Sequence, residues 1–286
     1  MADSGRNSGE GYGLLAPTLA VMGLGLAAPL LLMTVISLKN QTGITVSPDW
    51  TLAQYGEVLG RASYRILFAR SVLISAVVTL VTVCLAYPMA YFVAFHARRK
   101  FLWLVALTIP FWTSYLLRVF AWKIILGFNG VINSGLIRLD LIDQPLSFLL
   151  YNPFAVVVTL AHAWAAFAIL PIYVSLEKID RSLLEAASDL GDSALRRFLR
   201  ITLPLSMPGV IGAAILIFVP TTGDFVTPEL VGGTKGTMIA NVIEVQFNNV
   251  GNWPLGAALS IVSMILVAVI AGLLVATARA ATRKIR

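Results

Sequence analysis

Three ionisable side chains stand among apolar residues, where charge is costly. Arg118 lies mid-way along the apolar run 101–126, with Trp112, Tyr115, Phe120 and Trp122 close by in sequence. Asp224 and Glu229 follow the run 208–222, in the string TTGDFVTPE. Carboxylates pair with cationic groups. The faces of Trp112 and Tyr115 attract cations and cover attached methylenes, at about 0.5–2 kcal/mol per contact. The acidic and aromatic residues lean towards an organic cation, and Arg118 leans the other way. A second reading is open at each position. Asp224 neutralises Arg118, Glu229 stands in solvent at the outer surface, and Trp112 and Tyr115 anchor helices at the membrane interface. No metal site is expected, because His96 and His162 lack companion ligands and Cys84 is the single cysteine. No Ser/His/Asp or Cys/His set suggests catalysis. The string GGTKGT (232–237) lacks the Gly-Lys-Ser/Thr that closes a phosphate-cradling loop. The chain therefore carries no cofactor site of its own, and any ATP-derived energy has to come from a partner.

A second stretch is charged for a different reason. In LLEAASDLGDSALRRFLRITLP (183–204), Ser182 and Glu185 have the spacing of a capping box, with the serine predicted to cap a helix. Leu183, Leu184, Ala187 and Leu190 fall in one apolar sector of that helix. Gly191 suits the left-handed turn that ends it. Asp192 or Ser193 can cap a second short helix, whose Leu195, Phe198 and Leu199 run beside Arg196, Arg197 and Arg200. Pro204 is expected to stop it. A solvated connector would need neither the caps nor the leucines. A membrane-surface helix or a docking knob for a soluble partner would use both.

The elements that hold these groups follow from composition. The 286 residues are 58% hydrophobic and 12% charged, against about 25% charged in soluble domains. The formal net charge is +7, but the basic residues cluster beside apolar runs, so topology rather than nucleic acid explains them. A membrane-crossing helix needs about 20 apolar residues. Candidate spans are 14–38, 71–95, 101–126, 154–176, the short 208–222, and 255–278. Gly223 and Pro228 predict a break after the fifth, at the polar string holding Asp224 and Glu229. Irregular backbone at that depth is tolerated only where protein or water covers it. Pro110 and Pro171 predict kinks. The first run is too long, and its tail too weakly basic, for a signal peptide. Six spans put both termini on one side. That side receives Arg6, Arg98–Lys100, Lys178, Arg181, Arg196, Arg197, Arg200 and the basic C-terminus, so the termini and the charged stretch are expected in the cytoplasm. The expected organisation is one transmembrane domain, 1–286, with a cytoplasmic loop at 178–204 and outer loops at 39–70, 127–153 and 223–254. Glu244 is read as a loop residue, His162 as packed and hydrogen-bonded, and Trp50 and Tyr55 as a plausible outer docking surface.

The charged stretch resembles the cytoplasmic signature loop of ABC importer permeases, E-A-A-x3-G-x9-I-x-L-P. Here it reads Glu185, Ala186, Ala187, Gly191, Ile201, Leu203 and Pro204, with every spacing kept. IPFWTSYLLRVFAWKIIL (109–126), GDFVTPELVGG (223–233) and NNVGNWPLGAALS (248–260) are similar to the spermidine/putrescine-type branch, apart from Asp224 where glutamate is expected. The resemblance implies an all-α, six-helix, type I importer permease of a bacterial inner membrane, in which the loop seats on an ATPase. It also implies a second permease subunit, two copies of a cytoplasmic ATPase that bind ATP and Mg, and an extracytoplasmic substrate-binding protein. Substrates across the family include polyamines, amino-acid-like compounds, anions and iron. Two other classes are distinguishable. An ion-driven transporter would show internal repeats, and none stands out. A membrane scaffold would use the loop for adhesion alone.

Overall fold

The structure is a computed structural model. It describes the backbone of residues 7–43 and 45–283, and the side chains of 15–43 and 45–276. The orientation markers Arg6, Lys284 and Arg286 lie outside the described residues, as do the side chains of Arg279 and Arg283. Helix α1 (Asn7–Ser37) leads into an antiparallel hairpin, β1 (Lys39–Thr42) and β2 (Thr45–Trp50), and then α2 (Ala53–Gly60). There follow α3 (Ala62–Phe95), α4 (Lys100–Thr108), α5 (Tyr115–Leu126), α6 (Val131–Arg138) and α7 (Pro153–Glu177). Next come α8 (Arg181–Asp189), α9 (Ala194–Arg197), α10 (Leu203–Thr222), α11 (Gly233–Gly236), α12 (Ile239–Val245) and α13 (Trp253–Arg283). Six described helical stretches are long and apolar enough to cross a membrane: Leu15–Ser37, Ala62–Phe95, Tyr115–Arg138, Pro153–Glu177, Ala194–Thr222 and Trp253–Ala276.

The described residues within 7–61 and 243–262 form one compact unit, and those within 62–242 and 263–283 a second. In the first, the hairpin pairs Lys39 with Trp50 and Gln41 with Val46. Lys39 Nζ lies 3.8 Å from the Trp50 ring centroid. The Gln41 amide donates to the Gly251 carbonyl (2.6 Å) and accepts from the Trp253 amide (3.1 Å), fixing the hairpin to the start of α13. Tyr55 Oη and Ser37 Oγ, 2.6 Å apart, join α2 to the end of α1.

The second unit is built on α3, α7 and α10. Ile74, Val78, Leu160, Ile169, Ile172, Leu176 and Ile217 fill its core, with Ala86, Ala90 and Ala213 allowing close approach. Small residues at helix contacts are the usual solution in a membrane, where burial of apolar surface gives helices no drive to associate. At Gly209 the approach is extreme. A Cβ there would lie 2.4 Å from the Pro171 carbonyl oxygen and 2.4 Å from Ser175 Oγ. Polar threads cross the same contacts: Thr222 Oγ1 donates to Ser75 Oγ (3.0 Å), and Tyr87 Oη lies 2.8 Å from Ser206 Oγ.

Several boundaries differ from the sequence reading. The run 101–126 is not one helix. Pro110 opens a 3-10 turn at Ile109–Trp112, and Thr113 and Ser114 are extended before α5 begins. Proline has no N–H to continue the helical ladder. The piece Lys100–Trp112 rises about 20 Å, short of the ~30 Å hydrocarbon core, and the membrane-length stretch is Tyr115–Arg138. Pro204 does not stop a helix either. A π turn at Phe198–Thr202, closed by Leu203 N–H donating to the Phe198 carbonyl, carries α9 straight into α10. The region expected as a third outer loop, 223–254, is largely helical, and Val231 and Met238 are core residues. Glu244 accordingly sits on α12 and accepts from Asn248 Nδ2 at 3.1 Å.

Candidate functional site

The fifth spanning helix stops where expected. Helix α10 ends at Thr222, and Asp224 then caps the next turn. Its Oδ1 accepts from the Val226 amide (3.0 Å) and, at the long limit, from that of Thr227 (3.5 Å). Its Oδ2 accepts from Tyr115 Oη at 2.6 Å. Because the Tyr115 proton is committed to Asp224, the buried Thr227 hydroxyl, 2.5 Å away, donates to Tyr115 Oη. An ionised carboxylate offers about four acceptor positions. Three are engaged here, and one is open.

Tyr115 and Arg118 lie one turn apart on α5 and reach the same space. With Ala163, Trp164, Phe167, Pro220 and Asp224 they line a cavity of about 400 Å³. This is within the usual range for small-molecule sites, about 300–1,000 Å³. Arg118 and Asp224 do not pair: Arg118 forms no ion pair among the described residues. Its Nη1 donates to the Ala163 carbonyl at 3.2 Å, and its guanidinium faces the Phe111 ring at 5.1 Å and the Tyr115 ring at 6.0 Å. Neutralisation of Arg118 by Asp224 is thus not how the chain folds. Trp112 and Glu229 are not brought to the cavity. Trp112 sits at the break before α5 and is 82% exposed. Glu229 is exposed and meets Asn241 Nδ2 at 3.5 Å. His162 is not enclosed in the core. It is exposed, and its ring lies against Phe111 (5.8 Å) and Trp122 (5.5 Å).

The charged stretch folds as a helix–turn–helix elbow. Its first cap is Asp180 rather than Ser182: the Asp180 side chain accepts from the Ser182 amide at 3.0 Å. That amide holds the exposed Asp180 carboxyl below its ordinary value. Asp180 takes the cap position because the helix begins two residues earlier than the capping-box spacing assumes. The turn is a complete Schellman motif. Gly191 N–H donates to the Ser188 carbonyl and Asp192 N–H to the Ala187 carbonyl, each at 2.9 Å, with Gly191 at φ +85°. Ser193 caps α9, accepting from the Arg196 amide. Arg197 donates to Ser188 Oγ, and Arg200 meets Asp192 at 3.5 Å, so the two arms are tied across the turn. Phe198 fixes the elbow to α3, with its ring edge-on to Tyr87 at 5.6 Å and to Tyr91 at 6.3 Å. Ala187, Ile201, Leu203 and Pro204 face into the protein to varying depth, while Glu185, Ala186, Leu183, Leu190 and Leu195 are exposed. An apolar knob on a rigid turn is thereby presented outward.

The family model described as "Binding-protein-dependent transport system inner membrane component" matches residues 50–283. The chain belongs to that family. It is 41% identical over 214 residues to the spermidine/putrescine transport system permease protein PotB of Escherichia coli K12, covering 74% of this chain and 77% of that protein. PotB of Haemophilus influenzae is 37% identical over 201 residues, 70% of each chain. A crystal structure of a bacterial ABC transporter for alginate import shares the fold, with a TM-score of 0.71 and 15% identity over 94% of both chains. The same holds for a bacterial alginate ABC transporter bound to its periplasmic protein, at a TM-score of 0.74 and 15% identity over 95% of this chain and 94% of that one. This permease is therefore a multi-pass inner-membrane transport component.

The sequence reading missed Trp164 and Phe167, which complete the permease's cavity. They lie three residues apart near the middle of the apolar α7, and only the fold brings them to the cavity that Asp224 lines. A tryptophan N–H in an otherwise apolar span was a usable signal, since it needs a partner.

Proposed function

We propose that this permease is the membrane-spanning subunit of an ATP-driven, binding-protein-dependent importer of polyamines. The Asp224 cavity forms part of the translocation path. The observation that carries this reading is the carboxylate with one open acceptor position, in a cavity walled by Tyr115, Trp164 and Phe167. An ammonium fills that position, and the aromatic faces cover the methylenes beside it. The identity to proteins named as spermidine/putrescine permeases supports the same substrate class. Asp224 with Tyr115 is the substrate contact. Arg118 is in the path but is not that contact, and Trp112 and Glu229 act before or after the cavity.

The elbow, Glu185 to Pro204, seats its exposed leucines on a cytoplasmic ATPase. Two copies of that ATPase bind ATP and Mg, and a second permease subunit completes the pore. An extracytoplasmic binding protein delivers the solute to the outer face, and both termini are cytoplasmic. Closure of the ATPase moves the elbow, and Phe198 and the unbroken path from α9 into α10 carry the motion to the break at Asp224. The test is ATP hydrolysis by the purified complex with binding protein loaded with spermidine, putrescine or a small anion. Stimulation by the polyamines is expected. Stimulation by the anion alone overturns the polyamine reading.

A further inference from the structure

An apolar groove beside α4 belongs neither to the Asp224 cavity nor to the elbow. Its larger part, about 730 Å³, is lined from α3, α4, α5 and α7. A second part, about 290 Å³, shares Pro88, Met89 and Leu107 with the first, so the two are continuous. On α3 the wall runs Val81, Leu85, Met89 and Phe92, at helical spacing, and on α4 it runs Trp103 and Leu107. Helix α7 contributes Ala161 and Ala165, whose small side chains leave the space open. Leu85, Met89, Phe92 and Trp103 are exposed, so the groove faces outward. Between Val81 and Val93, α3 rises about 18 Å, against about 15 Å for the hydrocarbon of one leaflet. The groove is therefore one leaflet deep. At its lower end Trp103 stands edge-on to Phe92 at 5.3 Å. Arg99 and Lys100 precede Trp103 by four and three residues, which puts them one turn beyond that end on the same face. Lys100 is matched by Glu177 at 2.8 Å, whereas Arg98 and Arg99 are exposed and form no ion pair among the described residues.

Inside a membrane no water drives such a groove to close, and left empty its lining forfeits van der Waals contacts. An acyl chain supplies them. The two unmatched guanidinium groups at the mouth select which lipid it belongs to, because arginine pairs with phosphate oxygens and its charge favours a net anion. A further membrane subunit is the poorer occupant. Basic residues gather at the cytoplasmic ends of membrane proteins, so a subunit at that level sets like charges against Arg98 and Arg99. We propose that the groove is a binding site for one anionic phospholipid, with an acyl chain between α3 and α4 and the headgroup on Arg98 and Arg99. The orientation proposed above makes this a lipid of the cytoplasmic leaflet, but the site itself depends neither on that orientation nor on the importer reading.

The test uses the whole complex, with partner permease and ATPase, in phosphatidylcholine nanodiscs. A trace of phosphatidylglycerol or of phosphatidylcholine carries the same photoreactive diazirine on its acyl chain. Labelled residues are mapped by mass spectrometry, with the exposed Leu24 and Leu26 of α1 as the bulk-lipid reference. Each arginine at a membrane surface is worth about fivefold, so phosphatidylglycerol should label the groove at least about tenfold more than phosphatidylcholine does, relative to α1. Arg98→Gln with Arg99→Gln should bring that ratio near one, and Arg98→Lys with Arg99→Lys should keep most of it. Ala165→Leu, which fills the groove and leaves the arginines in place, should lower the groove yield and not the α1 yield. Equal labelling by the two lipids in the parent overturns the inference, since the groove then holds bulk lipid. Labelling of α1 with none in the groove also overturns it, since a protein surface then covers the site. An unchanged groove yield in Ala165→Leu does the same. None of these outcomes involves solute-stimulated ATP hydrolysis, so the importer reading stands or falls separately.

Discussion

Gly191 tests the elbow most sharply, because backbone geometry and side-chain space make different predictions there. A Cβ at Gly191 would meet nothing within 4 Å, so a substitution suffers no steric clash. What it suffers is φ +85°, which disfavours L-residues by roughly 1–2 kcal/mol. That is a factor of about 5–30 against the observed turn. Asparagine tolerates the left-handed region far better than alanine, and a β-branched residue is worse than either. Coupling should therefore fall in the order Gly, Asn, Ala, Val, with Gly191→Asn near the parent and Gly191→Val inactive. The assay is binding-protein-stimulated ATP hydrolysis and solute uptake in proteoliposomes, at matched amounts of inserted protein. Normal uptake by Gly191→Val would refute the role of the turn. Asparagine as damaging as valine would implicate side-chain volume, contrary to the open space around the residue.

Two further substitutions probe how the elbow is connected. Gly209→Ala should lower the melting temperature of the complex, because its Cβ meets the Pro171 carbonyl and cannot be relieved by a rotamer change; overpacking of this kind costs typically 1–3 kcal/mol. An unchanged melting temperature would mean that α7 and α10 separate freely. Phe198→Ala removes the ring that rests on Tyr87 and Tyr91, at about 0.5–1.5 kcal/mol for each aromatic pair beyond its area. It should leave basal ATP hydrolysis intact while uptake falls, and Phe198→Leu should restore part of the uptake. Parallel loss of both activities would assign Phe198 to stability alone.

Much of the architecture was legible because length and apolarity are nearly sufficient to specify a membrane helix. The elbow was legible because Gly191 and its seven-residue pattern leave little choice of conformation. Helix ends were harder to read. Pro110 and Pro204 carry the same local rule, yet one opens a 3-10 turn that ends α4 and the other stands in the first turn of α10, where proline's missing N–H costs nothing, directly after a π turn. At the cavity, sequence proximity grouped Trp112 with Tyr115 and Glu229 with Asp224. The extended Thr113–Ser114 pair separates the first two, and the turn capped by Asp224 separates the second. Trp164 and Phe167 come from a distant helix, and only tertiary packing brings them in.

The central claim is that an ATPase on the cytoplasmic side drives this permease through the elbow. Leu190 is 88% exposed and Glu185 is exposed, so single cysteines at either position, in a Cys84→Ser background, sit on the outward knob. Crosslinking in native membranes should capture a nucleotide-binding subunit, with a yield that changes when ATP is added. Capture of lipid alone, or of nothing, at both positions would contradict the claim.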